Sequence, residues 1–198
     1  MSRILWIFDS TMTPPPFDTI GAGQRFDAAD WLRGGNGVRR RAGAPLAVDI
    51  LVPASSNARR NLAQVVQEMW RKAGVQATVT SVDFAVFQER LRTGHFDTFV
   101  GAWLDEPSPR GLVDQWTAAG IGKLNYTGYR SPVFDSLFRR AATFQGALPL
   151  ARQAWKEAIA QLNADVPGIW LYTPMNTAAV ARRLGAVTID PYSWLSRL

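Results

Sequence analysis

An α/β fold, with a mixed but mostly parallel sheet flanked by helices, is predicted by three features of residues 46–103. Two short segments alternate apolar and polar side chains, a third is apolar nearly throughout, and stretches of helical periodicity separate them. Strand, helix, strand, helix, strand at this spacing implies right-handed parallel crossovers. The first strand is residues 46–52, where Leu46, Val48 and Ile50 alternate with Ala47, Asp49 and Leu51. Ser55, Ser56 and Asn57 offer N-caps for a helix reaching Ala73, because a short side-chain oxygen can satisfy the unpaired N–H groups of a first turn. Its inner face is expected at Leu62, Val65, Val66, Met69 and Ala73. Gly74 stands where a left-handed residue closes a helix. Residues 75–81 alternate again, as a half-buried strand does. Asp83 is placed to cap a second helix with Phe84, Phe87 and Leu91 inward and Gly94 at its end. Residues 96–103 are apolar nearly throughout, as expected of a central strand covered on both faces.

The flanking segments read less regularly. Residues 4–8 suggest a short strand, and Pro14, Pro15 and Pro16 then break regular structure. Residues 1–24 are therefore a poorly defined segment. Residues 26–32 allow a short helix. Gly34, Gly35, Asn36 and Gly37 form one turn and residues 42–45 another, with residues 38–41 between them as an arm of a small hairpin. Past the central unit, residues 112–118 suggest a short helix, and Gly120, Gly122, Asn125 and Gly128 mark irregular chain. Ser131-Pro132 is an N-cap followed by proline at the first helical position, ahead of Phe134, Leu137, Phe138 and Ala141. Pro149 opens a further helix with Leu150, Ala154, Ala158, Ile159 and Leu162 inward, stopped by Pro167. Residues 168–172 and 177–181 read as two last strands.

Composition narrows the chemistry. The 198 residues are 47% apolar and 19% charged, which is globular. The absence of cysteine excludes disulfides, thiolate nucleophiles and cysteine-based metal sites. The net charge is +6, but the arginines are spread from Arg3 to Arg197, with one cluster at Arg39, Arg40 and Arg41, rather than drawn into a nucleic-acid-binding stripe. No apolar run approaches the length of a membrane span. The start lacks the length and cleavage site of an export signal, so the mature protein begins here or the chain is a piece of a longer one.

The catalytic inventory is thin. His95 is the sole histidine and sits in a helix-to-strand turn, so a histidine-rich metal site lacks its parts; a Ser-His-Asp triad would have to use it, yet no serine sits in a Gly-x-Ser-x-Gly elbow. Asp105 and Glu106 are adjacent, and adjacent side chains point apart; with Asp114 as a third member they are the one grouping with acid–base character. The loop that holds them suits binding better. Ligands of open α/β sheets sit beyond the carboxyl ends of strands. Trp103 at such an end can stack on a ligand and Asp105 can receive an ammonium group; equally, Trp103 can cap the core and Asp105 the turn before Pro107. Asn125, Tyr126 and Tyr129 cluster in irregular chain, where they either meet a ligand or pack the loop. Trp170 and Tyr172 share one face of a predicted strand, as core or as a hydroxyl offered to a cleft.

In order and spacing, four segments resemble the C-terminal portion of the family 5 extracellular solute-binding proteins, the peptide- and nickel-binding receptors of ABC importers. They are residues 37–46; residues 57–75 followed by Phe87-Gln88-Glu89-Arg90-Leu91 and Gly94-His95-Phe96-Asp97; Asn125-Tyr126-Thr127-Gly128-Tyr129 with residues 131–137; and residues 166–172. The resemblance implies a lobe of the class II periplasmic binding-protein type over residues 25–198, the last ~30 residues returning toward the other lobe of a longer receptor. It implies a non-enzymatic protein, periplasmic or extracellular and membrane-associated, that needs no cofactor or metal. Such a receptor closes on an oligopeptide or other small solute and delivers it to a membrane permease. Ligand contacts are then expected from Trp103, Leu104, Asp105, Glu106, Asn125, Tyr126 and Tyr172. Here Leu104 alone separates the tryptophan from the acid, where the family commonly has two residues. An exposed lobe face would also favour a homodimer. Two other readings stand beside it: a small α/β hydrolase using the acids of residues 103–114, and an arginine-rich nucleic-acid module.

Overall fold

The structure is a computed structural model that describes residues 5–13, 16–103, 108–144, 148–174 and 179–184. Its contacts divide the chain into two compact units: Pro14–Trp103, and Met1–Thr13 together with Leu104–Leu198.

The first unit opens with helix α1 (Thr19–Ala28), capped by the Asp18 carboxylate accepting from the Gly21 N–H. A small antiparallel sheet follows: β1 (Leu32–Arg33), β2 (Arg39–Arg41) and β3 (Ala44–Pro45). The main sheet has β4 (Ala47–Pro53) between β5 (Gln76–Val82) and β6 (Thr98–Phe99), both parallel to it. Helix α2 (Asn57–Ala73) joins β4 to β5, and α3 (Phe84–Thr93) joins β5 to β6. The parallel unit expected from residues 46–103 is present, with its order corrected. The central strand is β4, where Ile50 to Pro53 are buried on both faces, while the pairing of residues 96–103 is confined to a two-residue edge strand. Both runs are apolar, and only the non-local pairing decides which lies in the middle.

The caps follow the local rules. The Ser56 hydroxyl accepts from the Arg59 N–H at the start of α2, and Gly74 closes it at φ 93°. Asp83 occupies the N-cap of α3 without a side-chain capping bond, and Gly94 ends the helix at φ 72°. The buried stripe of α2 runs through Leu62, Ala63, Val66 and Trp70 against Ile50, Val52 and Val100. Val65 and Met69, expected inside, are exposed because they fall off that stripe. Phe84 of α3 is likewise exposed, leaving Phe87 and Leu91 as its buried anchors.

In the second unit, α4 (Leu112–Trp116) lies between 3₁₀ turns at Pro109–Gly111 and Ala118–Gly120. Helices α5 (Pro132–Thr143) and α6 (Pro149–Asp165) follow. The Ser131 hydroxyl accepts from the Phe134 N–H, as the Ser-Pro start predicts. Phe134, Phe138, Trp155, Ala158, Ile159 and Leu162 form the core with Trp116, while Leu150, expected inside, is 70% exposed in the first turn of α6. Residues 5–8 form a turn closed by the Phe8 N–H on the Leu5 carbonyl rather than a strand, and Leu5 and Ile7 enter this same core. Asp9 then pairs with Lys156 of α6 at 2.7 Å. Residues 168–174 carry no strand, and Ile169, Leu171 and Tyr172 are exposed. A strand requires a partner, and among the described residues none pairs with this segment. Of the second expected strand, residues 177–178 lie outside the described residues and 179–181 are irregular.

Candidate functional site

The residues expected to meet a ligand fall in both units and are held by different means. In the first unit, the backbone past β6 continues through the Val100 N–H, which donates to the Leu51 carbonyl, to Gly101, Ala102 and Trp103. The Trp103 indole is half-buried and lies 6.0 Å from the Phe99 ring, tilted by 54°. Phe99 is itself set edge-on against Phe96 at 5.1 Å and Phe87 at 6.3 Å. Offset and edge-on ring pairs are the favourable geometries of quadrupolar rings. The aromatic series thus runs from a buried helix anchor to the indole. Leu104, Asp105 and Glu106 lie outside the described residues.

In the second unit, Asn125 is 3% exposed and its amide is fully engaged. Nδ2 donates to the carbonyls of Thr117 and Tyr129, both at 2.9 Å, and Oδ1 accepts from the Thr127 hydroxyl and the Tyr129 N–H, both at 3.1 Å. Two donors and two acceptor sites are the whole capacity of a primary amide. These four bonds give Asn125 a loop-organising role. Tyr126 stands next to it, half-buried.

Tyr129 links this loop to α6. Its hydroxyl donates to Asp165 Oδ2 at 2.5 Å and its ring packs on Phe134 at 5.7 Å. Burial, reinforced by the Asp165 carboxylate, pushes the phenol up to about 12. The same bond holds Asp165 below the usual carboxylate range. In sequence Tyr129 is one aromatic of a cluster, and with 36 residues between the partners no local pattern signals this tether. Tyr172 is 66% exposed and Trp170 43%; neither belongs to a strand core. Trp170 instead sets its ring edge-on to Trp116 at 4.9 Å and donates from Nε1 to Asn163 Oδ1.

Of the acid–base grouping only Asp114 is among the described residues, and it and the arginine cluster are engaged in local contacts. Asp114 pairs with Lys123 at 2.8 Å, and His95 is an exposed turn residue bonded through Nδ1 to the Thr93 hydroxyl. Among the described residues, no group of three acidic or histidine side chains could hold a metal ion. Arg39, 4% exposed, bonds the Ala73 carbonyl through Nε, reaches Asp27 and the Trp31 carbonyl through one terminal nitrogen, and lies over the Phe26 ring. Arg33 bonds the Lys72 carbonyl, so two guanidinium groups cap the negative end of α2. Arg41 lies over Trp31 and Arg40 bonds the Gly43 carbonyl. The arginine cluster is therefore occupied by the fold.

This parallel α/β unit and the helical unit beside it in sequence define a binding-protein fold, and comparisons with known proteins give its family. The chain belongs to the bacterial extracellular solute-binding proteins, family 5, whose middle-region profile matches residues 1–123. It is 31% identical over 140 residues to the uncharacterized protein YejA of Escherichia coli, covering 67% of this chain and 23% of that protein. It is 23% identical over 196 residues to the oligopeptide-binding protein AppA of Bacillus subtilis, covering 96% of this chain and 36% of AppA. The chain thus spans well under half the length of these relatives. The AppA structure solved with a nonapeptide superposes with a TM-score of 0.76 at 22% identity, over 84% of this chain and 34% of that one. NikZ of Campylobacter jejuni, solved with Ni(L-His), superposes at 0.73 with 19% identity, over 82% of this chain and 33% of that one. These structures share the class II binding-protein fold expected from the sequence. The members of this family are solute-binding proteins, periplasmic or extracellular, and nothing in the comparisons supports the hydrolase.

Proposed function

We propose that this chain is part of the substrate-binding component of an ABC importer, a receptor that binds an oligopeptide or another small solute and hands it unchanged to a membrane permease. The observation that carries the reading is family membership, joined to relatives whose names specify peptide binding. AppA is one, and the dipeptide-binding protein of Pseudomonas aeruginosa, 25% identical over 142 residues and covering 69% of this chain and 25% of that protein, is another.

In this reading Trp103 supplies an aromatic surface to the ligand. Leu104, Asp105 and Glu106 complete that loop, with Asp105 receiving an ammonium group. Tyr126 and Tyr172 are further candidate contacts, and Asn125 holds the 117–129 loop that carries Tyr126. Residues 25–198 correspond to the C-terminal lobe of the receptor, which acts outside the cytoplasmic membrane and associates with it through its permease. The exposed run Ile169, Trp170, Leu171 and Tyr172 supports a docking role for the last ~30 residues, since contiguous exposed apolar side chains mark interaction surfaces. The rest of the receptor covers that run; in its absence a second copy of this chain does so, forming a homodimer.

The test is ligand binding by the full-length receptor. Trp103→Ala and Asp105→Asn should each weaken capture of a tripeptide pool by about tenfold or more while leaving the thermal midpoint within a few degrees. Unchanged affinity in both variants would remove the site assignment.

A further inference from the structure

We infer that Gly101 and Phe99 are positioning residues that hold the Trp103 indole in its ligand-binding place; the inference rests on the reading that Trp103 contacts the ligand. Three observations carry it. The first is steric. A methyl group built on Gly101 would lie 2.7 Å from Phe99 Cε2 and 3.1 Å from both Cη2 and Cζ3 of Trp103. These distances fall inside van der Waals contact, so the bare backbone at residue 101 is what lets the two rings approach. Gly101 is not required for a left-handed turn, since it is not among the positive-φ glycines. Its need for hydrogen in place of a side chain comes from the rings.

The second is the fixing of Phe99. Its ring is braced edge-on by Phe96 and by Phe87, and Phe87 is 3% exposed in the anchor of α3. A ring held between two others cannot change rotamer without moving both, so it offers the indole a rigid ledge. The third is the contrast along the series. Phe87 is buried and Trp103 is half-buried, so the order imposed in the core is carried outward to a side chain that reaches the surface. A binding side chain already locked by its neighbours loses less conformational entropy on meeting a ligand. Affinity and side-chain selectivity in this loop then depend on residues that need never touch the solute.

The experiment uses the full-length receptor, an equimolar tripeptide pool titrated by calorimetry, and the indole N–H resonance of Trp103, assigned by its disappearance in Trp103→Phe. Gly101→Ala should move that resonance more than any other indole signal and weaken pool binding about tenfold. Phe99→Leu, which keeps apolar volume but removes the flat ledge, should do the same to a smaller extent and serves if Gly101→Ala fails to fold. Trp103→Ala separates the two levels. If it binds the pool as tightly as the wild type, or if the wild type ignores the pool, the functional reading falls and the inference with it. If Trp103→Ala binds weakly while Gly101→Ala and Phe99→Leu leave both resonance and affinity unchanged, the positioning role alone is overturned.

Discussion

The Trp103 end of the first unit and the Asn125 loop of the second are both irregular chain, yet they are organised by opposite physics. Around Trp103 the order comes from ring against ring, Phe87 to Phe99 to Trp103. Around Asn125 it comes from four hydrogen bonds made by one buried amide. Ring packing is the sum of many weak, non-directional contacts, so its loss scales with how much of the ring is uncovered. A saturated buried amide is closer to all-or-none, because each lost partner strands a desolvated group.

Substitutions can break the comparison at either end. The largest effect is expected from Phe87→Ala, which removes the buried anchor of the aromatic series and leaves a cavity; a loss of about 3–5 kcal/mol by chemical denaturation is expected. Asn125→Ala comes next. It takes the side-chain donor from the Tyr129 carbonyl and one of two partners from both the Thr117 carbonyl, which keeps the Gly120 N–H, and the Tyr129 N–H, which keeps the Thr127 hydroxyl; a loss of about 1–3 kcal/mol is expected by the same measurement. Asn125→Asp should cost nearly as much despite its similar shape, since a carboxylate cannot donate to those two carbonyls. If Asn125→Asp were neutral, the all-or-none description of the loop would fail.

Tyr129→Phe sharpens the comparison with a smaller effect, about 0.5–1 kcal/mol at neutral pH, because it deletes one hydroxyl bond and keeps the ring on Phe134. Its signature is in the pH dependence. The phenol of the folded protein titrates near 12, above its ordinary value of 10.0, so above pH 10 the unfolded chain loses a proton that the folded one retains. Stability should therefore fall as pH rises from about 10 to about 12, and Tyr129→Phe should flatten that limb. Asp165 has the reverse sign. Its depressed value adds stability above the ordinary carboxylate range, lost as pH falls through the folded value, and the same variant should flatten the acid limb as well. The smallest effect belongs to Lys156→Met. It removes the partner of Asp9, whose carboxyl is held well below its usual range first by that lysine and then by Thr11. Leu5 and Ile7 should keep residues 5–13 in place, so the change in midpoint at pH 7 should be near the limit of measurement; a shift of several degrees would show that the ion pair, not the apolar contacts, anchors the segment.

Legibility followed the range of the interaction. The helix Asn57–Ala73 was readable in extent because its serine cap, apolar periodicity and closing Gly74 are all local, although three residues competed for the cap and Val65 and Met69 fall outside the buried stripe. The Ser131-Pro132 start was readable for the same reason. The order of the sheet was not, since β4 and residues 96–103 are both apolar and only pairing separates centre from edge. Residues 168–172 carry a strand pattern without a strand partner among the described residues, so Tyr172 ends exposed. At the site, Trp103 was legible as an aromatic after a strand, whereas the role of Gly101 was not. A glycine required by approaching rings looks in sequence like any other glycine. Asn125 was legible as a special residue of its loop, but not that its four bonds would all be internal.

The central claim is that this chain belongs to a receptor whose Trp103 meets the transported solute. Native mass spectrometry of the full-length receptor purified from its own host tests it most directly, run side by side on wild type and Trp103→Ala. The wild type should carry a bound solute of peptide mass that dissociates on activation, and the variant should appear largely empty with an unchanged charge-state distribution. A variant that retains the same solute at wild-type occupancy would contradict the account.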